Sequence, residues 1–161
     1  MKKKNIFWIL ICMSLLIACA DFSRGAFAWW GGDEKIVMPE GRVKKIKWTN
    51  AELQKDPVKR DISQTQEASF HMIRLEKSEV PHIHETHDLT AIVTKGMGII
   101  HYGDKAFSIS KGDVVRIPRG VPHWVENTGN QAMEAFAIFV PPFDGKDMRP
   151  TGPPKARAYA Y

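Results

Sequence analysis

Four of the six histidines in the chain fall at two places: His82, His84 and His87 close together, and His123 some forty positions on. On an extended backbone residues two apart point to the same face, so His82 and His84 look the same way. His123 opens another strand-like run. If the two runs lie side by side, three imidazoles converge on one interior point. Neutral imidazole is the commonest metal-ligating side chain, and three ligands with positions left open suit a reactive site rather than a closed structural one. His71 and His101 each sit inside a strand-like run and are expected to be satisfied or exposed side chains rather than ligands.

The elements that would have to position these rings are short and regularly punctuated. Strand-like runs cover 69–75, 89–95, 98–102, 106–110, 114–117, 123–127 and 132–140, separated by Lys95-Gly96, Gly103-Asp104, Lys111-Gly112-Asp113, Pro118-Arg119-Gly120 and Asn127-Thr128-Gly129-Asn130. Many short strands with Gly, Pro and Asp between them predict an all-β sandwich or barrel over 68–140. Before it, 19–41 reads as a linker, with Trp29 and Trp30 suited either to a membrane interface or to packing on the domain. The stretch 42–67 reads as an extension packing on the barrel, with a possible strand at Val43–Trp48 and a single helical turn capped by Thr49 or Asn50 and ended by Asp56-Pro57. The Pro-rich tail 141–161 reads as irregular.

The run from Gly112 to Asn127 resembles the second cupin motif, G-x5-P-x-G-x2-H-x3-N, with Gly112, Pro118, Gly120, His123 and Asn127 at its fixed positions. The run from His82 to Gly96 partly resembles the first, H-x-H-x(3,4)-E-x6-G. The resemblance covers nearly all of the expected β domain and implies a small jelly-roll barrel, often paired as a homodimer. It also implies a divalent transition metal, with His82, His84 and His123 matching the three histidine ligands. Iron, manganese, zinc, nickel and copper are not distinguishable on this basis. Gly112 suits a tight hairpin, and Pro118 with Gly120 suits a bend that aims His123 inward.

One position departs from the pattern. Where the family has its glutamate this chain has Leu89, which cannot ligate. Three readings follow: a three-histidine site, a fourth ligand from Asp88 or His87, or a weakened or lost site. Alternation along the strand puts Leu89 inward and Asp88 outward, which favours the first. An enzyme of dioxygenase, isomerase, lyase or decarboxylase type is one expectation, although a clear general base is missing: Glu126 shares the outward face of Trp124, and Arg116 and His101 would orient an anionic substrate only if they line the barrel. The other is a non-catalytic module that binds a metal, a sugar or an organic acid. Phe70, Met72, Phe107, Phe136, Ile138 and Phe139 are expected among the barrel lining and interface residues.

The N-terminus carries an address. Lys2, Lys3 and Lys4 precede an apolar run from Ile6 to Ala18, the pattern of a secretory signal and too short for a comfortable membrane span. Leu16-Ile17-Ala18-Cys19 resembles a bacterial lipobox, which implies a lipid on Cys19 and a membrane-anchored protein facing the periplasm or cell surface. Ordinary cleavage after Ala20 or Ala28 would give a soluble periplasmic protein instead. Cys12 lies within the discarded run, so no disulfide is expected. The net charge of +5 also shrinks: without the three signal lysines, 20 basic residues face 18 acidic ones. A residual +2 gives little reason to expect a nucleic-acid partner.

Overall fold

In the computed structural model of the chain, residues 35–39, 41, 43–45 and 47–152 are described. The signal segment, Cys19, Trp29, Trp30 and the last nine residues lie outside them. Two compact units divide the chain, Met1–Lys47 and Trp48–Tyr161. In the first, β1 (Lys35–Val37) and β2 (Val43–Lys45) form an antiparallel pair with Ile36 opposite Lys44. Of the strand expected over Val43–Trp48, the described residues hold Val43–Lys45 as strand, while Lys47 and Trp48 are not in one.

The second unit opens with the expected turn. The Thr49 hydroxyl accepts the Glu52 N–H at 3.3 Å, while the Glu52 carboxylate accepts the Thr49 N–H at 2.7 Å and its hydroxyl at 2.8 Å. This reciprocal arrangement is a capping box, and it holds one turn closed by the Leu53 N–H to Thr49 carbonyl bond of 3.0 Å. Among the described residues everything after it is β structure or loop.

Ten strands follow: β3 (Val58–Gln64), β4 (Ser69–Leu75), β5 (His82–His84), β6 (Asp88–Lys95), β7 (Met97–Tyr102), β8 (Lys105–Ser110), β9 (Val114–Ile117), β10 (His123–Asn127), β11 (Met133–Val140) and β12 (Met148–Pro150). They form two five-stranded antiparallel sheets, ordered β12-β5-β10-β7-β8 and β3-β4-β11-β6-β9. Each sheet has one hairpin of consecutive strands, β3-β4 and β7-β8, and its other neighbours are distant in sequence, as in a jelly roll. Between the sheets lies a core of Leu89, Val93, Ile100, Ile109, Ile117, Met133, Ala137 and Phe139, all buried.

Two of these strands have no counterpart in the sequence reading. β3 falls where an extension was expected, and it forms the edge of its sheet beside β4, with a bulge between Asp61 and Ser63. Its run of Lys59, Arg60 and Asp61 hides the alternation, and charged residues with a bulge are what an edge strand uses to avoid further pairing. β12 falls in the tail read as irregular. It pairs with β5, Met148 opposite His84 and Pro150 opposite His82, and it too is an edge, where proline is tolerated.

The expected motif positions hold the connections. Gly96, Gly112 and Gly120 all have positive φ, at 80°, 99° and 77°. At Gly120 this turns the chain so that its N–H donates to the His84 carbonyl at 2.7 Å, joining the two histidine segments. The Asn127 side chain fastens the far end of β10: its amide donates to the carbonyls of Gln131 at 2.8 Å and Glu76 at 3.0 Å, and its oxygen accepts the Gly129 N–H at 2.9 Å.

Gly98 in β7 is required for a different reason. A Cβ there would lie 2.3 Å from the Glu126 carbonyl oxygen, which belongs to the neighbouring β10 backbone and cannot swing aside. Gly98→Ala is expected to destabilise the domain by about 1–3 kcal/mol. Thermal unfolding followed by circular dichroism checks this, and an unchanged melting temperature contradicts the close approach.

Candidate metal centre

The sheet register brings the three histidines together. β5 lies beside β10 with His82 directly opposite His123, and His84 is two residues along on the same face. Ring centroids are 4.3 Å apart for His82 and His123, 5.1 Å for His82 and His84, and 5.4 Å for His84 and His123. All three are buried, and one ligand atom from each lies within 4.8 Å of the others.

The hydrogen bonds decide which nitrogens face inward. His82 Nδ1 donates to the Val80 carbonyl at 2.7 Å and His123 Nδ1 to the Val121 carbonyl at 3.0 Å. His84 Nδ1 donates to the Asp147 carboxylate at 3.2 Å. With each Nδ1 carrying the proton, each Nε2 presents a lone pair. His123 Nε2 is buried with no hydrogen-bond partner, a costly state for a polar atom. Three inward lone pairs, one of them orphaned, are a donor set that fits a divalent transition metal with open positions.

Burial pushes the His123 imidazole down to about 3; the bond to Val121 opposes the shift, and the neighbouring rings of His82 and His84 add to it. His84 is likewise lowered by burial, against the pull of Asp147. His84 and His123 are thus held neutral, the state in which imidazole can ligate.

The side chain behind His84 was not found from the sequence. Asp147, buried in the segment before β12, accepts from His84, from the Thr86 N–H at 3.2 Å and hydroxyl at 3.1 Å, and from His87 Nδ1. Burial opposes ionisation of Asp147, but these bonds outweigh it and keep the carboxyl well below the usual range. Phe139 and Phe143 complete the support, their rings edge-on to His84 at 5.1 and 5.5 Å.

The two residues considered for a fourth ligand point elsewhere. His87 is buried with its ring nitrogens turned to Asp147 and to the Pro142 carbonyl at 3.0 Å, and it is not among the histidines whose ligand atoms converge. Asp88 faces outward, as alternation implied. It accepts the Arg119 N–H at 2.9 Å and Nη2 at 3.1 Å, and the Arg119 guanidinium and N–H bonds lower its carboxyl to about 2. Leu89 points inward, into the core and the cavity wall.

The other singled-out residues fall outside the cluster. His71 is satisfied by Asp61 at 2.8 Å and Ser69 at 2.7 Å. His101 stacks on Trp124 with centroids 4.0 Å apart, and its Nε2 lies 3.5 Å from Glu126. Neither His101 nor Arg116 lines the barrel cavity; alternation in β7 and β9 turns both away from it, so the condition for their orienting a substrate is not met. Of the apolar set, Met72 and Phe139 are buried, Phe107 is exposed, and Phe70, Phe136 and Ile138 are half-buried.

The three histidines stand at the wall of a cavity of about 420 Å³ inside the second unit. Glu79 also lines it, a residue that no pattern marked. Its Oε2 accepts the Val125 N–H at 3.0 Å. Burial pushes its carboxyl up, partly offset by the nearby His82. A carboxyl so placed can hold or accept a proton beside a ligand in the cavity.

The chain is similar to known proteins over part of its length. A family model described as Cupin domain matches residues 71–139. An uncharacterized protein of Aquifex aeolicus is 37% identical over 86 residues, spanning 53% of this chain and 70% of that protein. Acireductone dioxygenase of Cronobacter sakazakii is 35% identical over 66 residues, 40% of this chain and 36% of its own length. In fold, the chain is similar to a conserved protein with a double-stranded beta-helix domain from Klebsiella pneumoniae. That structure aligns with a TM-score of 0.55 at 16% identity, covering 67% of this chain and 91% of the other.

Neutral buried imidazoles make stability depend on pH. An unfolded histidine protonates near 6.5, whereas native His123 resists until about 3. The unfolded state therefore binds more protons between these values, and stability falls as pH falls through that window. With chelator present, the pH dependence of stability between 6 and 4 is expected to be shallower in His123→Leu by up to about 1.4 kcal/mol per pH unit. Denaturant melts at stepped pH measure it; equal slopes contradict a neutral buried His123.

Proposed function

The chain belongs to the cupin superfamily, and on that premise we propose that His82, His84 and His123 bind one divalent transition metal and that the chain acts on a small molecule held beside it. The observation that carries this reading is the orphaned, buried Nε2 of His123 among two further inward lone pairs. A metal bound there supplies Lewis-acid or redox chemistry to a coordinated ligand. The chain's own residues do the rest. The carbonyls of Val80 and Val121 and the carboxylate of Asp147 fix the tautomer and aim of the three rings. The aliphatic wall excludes water. Glu79 places a carboxyl on the cavity wall.

A reaction of dioxygenase, isomerase or lyase type is in keeping with this donor set, and the similarity to an acireductone dioxygenase over 66 residues supports the first. A second reading, a passive metal- or ligand-binding module, is favoured by Leu89 at the family's carboxylate position. The Glu79 carboxyl on the cavity wall weighs against it, since a carboxyl beside a bound ligand can serve as an acid or base. Export by the N-terminal segment, a lipid on Cys19 and pairing of two copies complete the proposal and rest on sequence alone.

Metal content of the purified chain and a titration with Co(II) or Fe(II) test the site. One metal per chain is expected, lost in His123→Ala. Asp147→Asn is expected to weaken affinity roughly 10- to 100-fold, because His84 then loses its anionic partner. Saturating metal is also expected to raise the unfolding free energy by about 2.7 kcal/mol at a hundredfold excess over Kd. A parent chain that binds no metal overturns the reading, and oxygen uptake with Fe(II) and a turned-over substrate would rule out the passive module.

A further inference from the structure

The cavity itself narrows the ligand. Its wall is built from aliphatic side chains, Val58, Leu75, Val93, Ile100, Ile109 and Ile117 among them. None of its lining residues is Arg, Ser, Thr, Tyr, Asn, Gln or Trp. Apart from the histidines, the ionisable side chains on it are Lys59, Glu79 and Glu134. Lys59 is already paired: its Nζ lies 2.6 Å from Asp61 and 3.3 Å from His71 Nδ1. Glu134 lies 3.9 Å from Lys95. What remains to meet a ligand is the imidazole cluster and the Glu79 carboxyl.

Such a wall discriminates by what it lacks. Each hydroxyl of a sugar carried into it would leave water without a new partner, at a cost of about 1–3 kcal/mol per group. A phosphate would find no arginine and no cluster of donors. A hydrocarbon body gains on entry, at about 0.8 kcal/mol per buried methylene.

The charge of the centre adds a second constraint. Three neutral imidazoles and the inward Leu89 give the dication no anionic ligand from the chain, the Asp147 carboxylate lying behind the His84 ring, so a ligand that brings negative charge to the metal is favoured. We propose that the site takes a small molecule with an anionic, metal-chelating oxygen head on an apolar body, and that it rejects sugars and phosphate esters. The inference rests on the metal reading for the head and on the cavity wall for the body.

Hydroxamates separate the two, because one chelating head can carry different tails. The full chain loaded with Co(II) is titrated with acetohydroxamate, hexanohydroxamate and gluconohydroxamate, reading the visible cobalt bands and, in parallel, the thermal midpoint with and without metal. Hexanohydroxamate is expected to bind more tightly than acetohydroxamate by about fourfold per added methylene where the tail is fully buried, and by at least about tenfold in total. Gluconohydroxamate, of similar length, is expected to bind no better than acetohydroxamate. Val93→Asp, which puts a charge into the wall, is expected to abolish the hexanoyl advantage, read as the ratio of hexano- to acetohydroxamate affinity within the same variant. Should that variant fail to fold, Ile109→Thr tests the same wall with a smaller change.

Equal affinities across the three tails, or a preference for the polyhydroxylated one, would overturn the inference while leaving the metal site standing. Absence of any cobalt spectrum would overturn the metal reading. In that case a larger thermal shift from hexanohydroxamate than from gluconohydroxamate without metal would still uphold the apolar body, and equal shifts would overturn it as well.

Discussion

Three imidazole lone pairs face one another where water hardly reaches, and much of the barrel serves to hold them there. Left alone, such rings would rotate to find hydrogen-bond partners or take up protons. Rotation is blocked because every Nδ1 is already fastened, two to carbonyls two residues back and one to Asp147. Protonation of His123 is disfavoured because it is desolvated and its charge would sit beside the two other rings. The register between β5 and β10 fixes the distance: with His82 opposite His123, one residue of slippage would turn a ring out to the other face of the sheet.

That register is secured from outside the two strands. The Gly120 N–H binds the His84 carbonyl, and Arg119 binds Asp88 just beyond it, so the bend before His123 is tied at two points to the segment carrying the other histidines. From the far side the C-terminal segment closes over the site. β12 pairs with β5, Phe143 packs against His84, and Asp147 gathers His84, Thr86 and His87 around one carboxylate. This segment is as much part of the centre as the strands that carry the ligands.

The legible part of the fold was what local chemistry writes into the chain. Gly, Pro and Asp punctuation marks where strands stop, and β4, β9 and β10 span the residues the pattern assigns. His-x-His fixes a shared face through the period of two alone. Alternation likewise separated Leu89 from Asp88 and turned Glu126 outward. What stayed hidden depends on partners distant in sequence. β3 alternates charge rather than polarity, and β12 is three exposed residues with meaning only beside β5. Asp147 looks like any tail aspartate until the chain returns to His84, 63 residues away. Glu79 has no signal of its own, because its partner is the Val125 N–H, 46 residues on.

Leu89 shows how firmly the face of a strand can decide chemistry. A carboxylate is present one position earlier, and a slip of β6 by one residue would swing Asp88 toward the histidines and Leu89 out to solvent. Two sets of interactions oppose that slip. Outside, Asp88 would have to give up its bonds to the Arg119 backbone and guanidinium. Inside, Leu89 lies between Ile117 and Phe139 in the sheet and belongs to the buried core, and Val93 on the same face would be expelled with it. Exposing two buried aliphatic side chains costs about 1.5–3 kcal/mol each, more than an exposed ion pair could recover elsewhere. The barrel is therefore committed to three neutral ligands by the packing of its wall, and the same packing that withholds a carboxylate from the centre makes the space beside it hydrocarbon-lined.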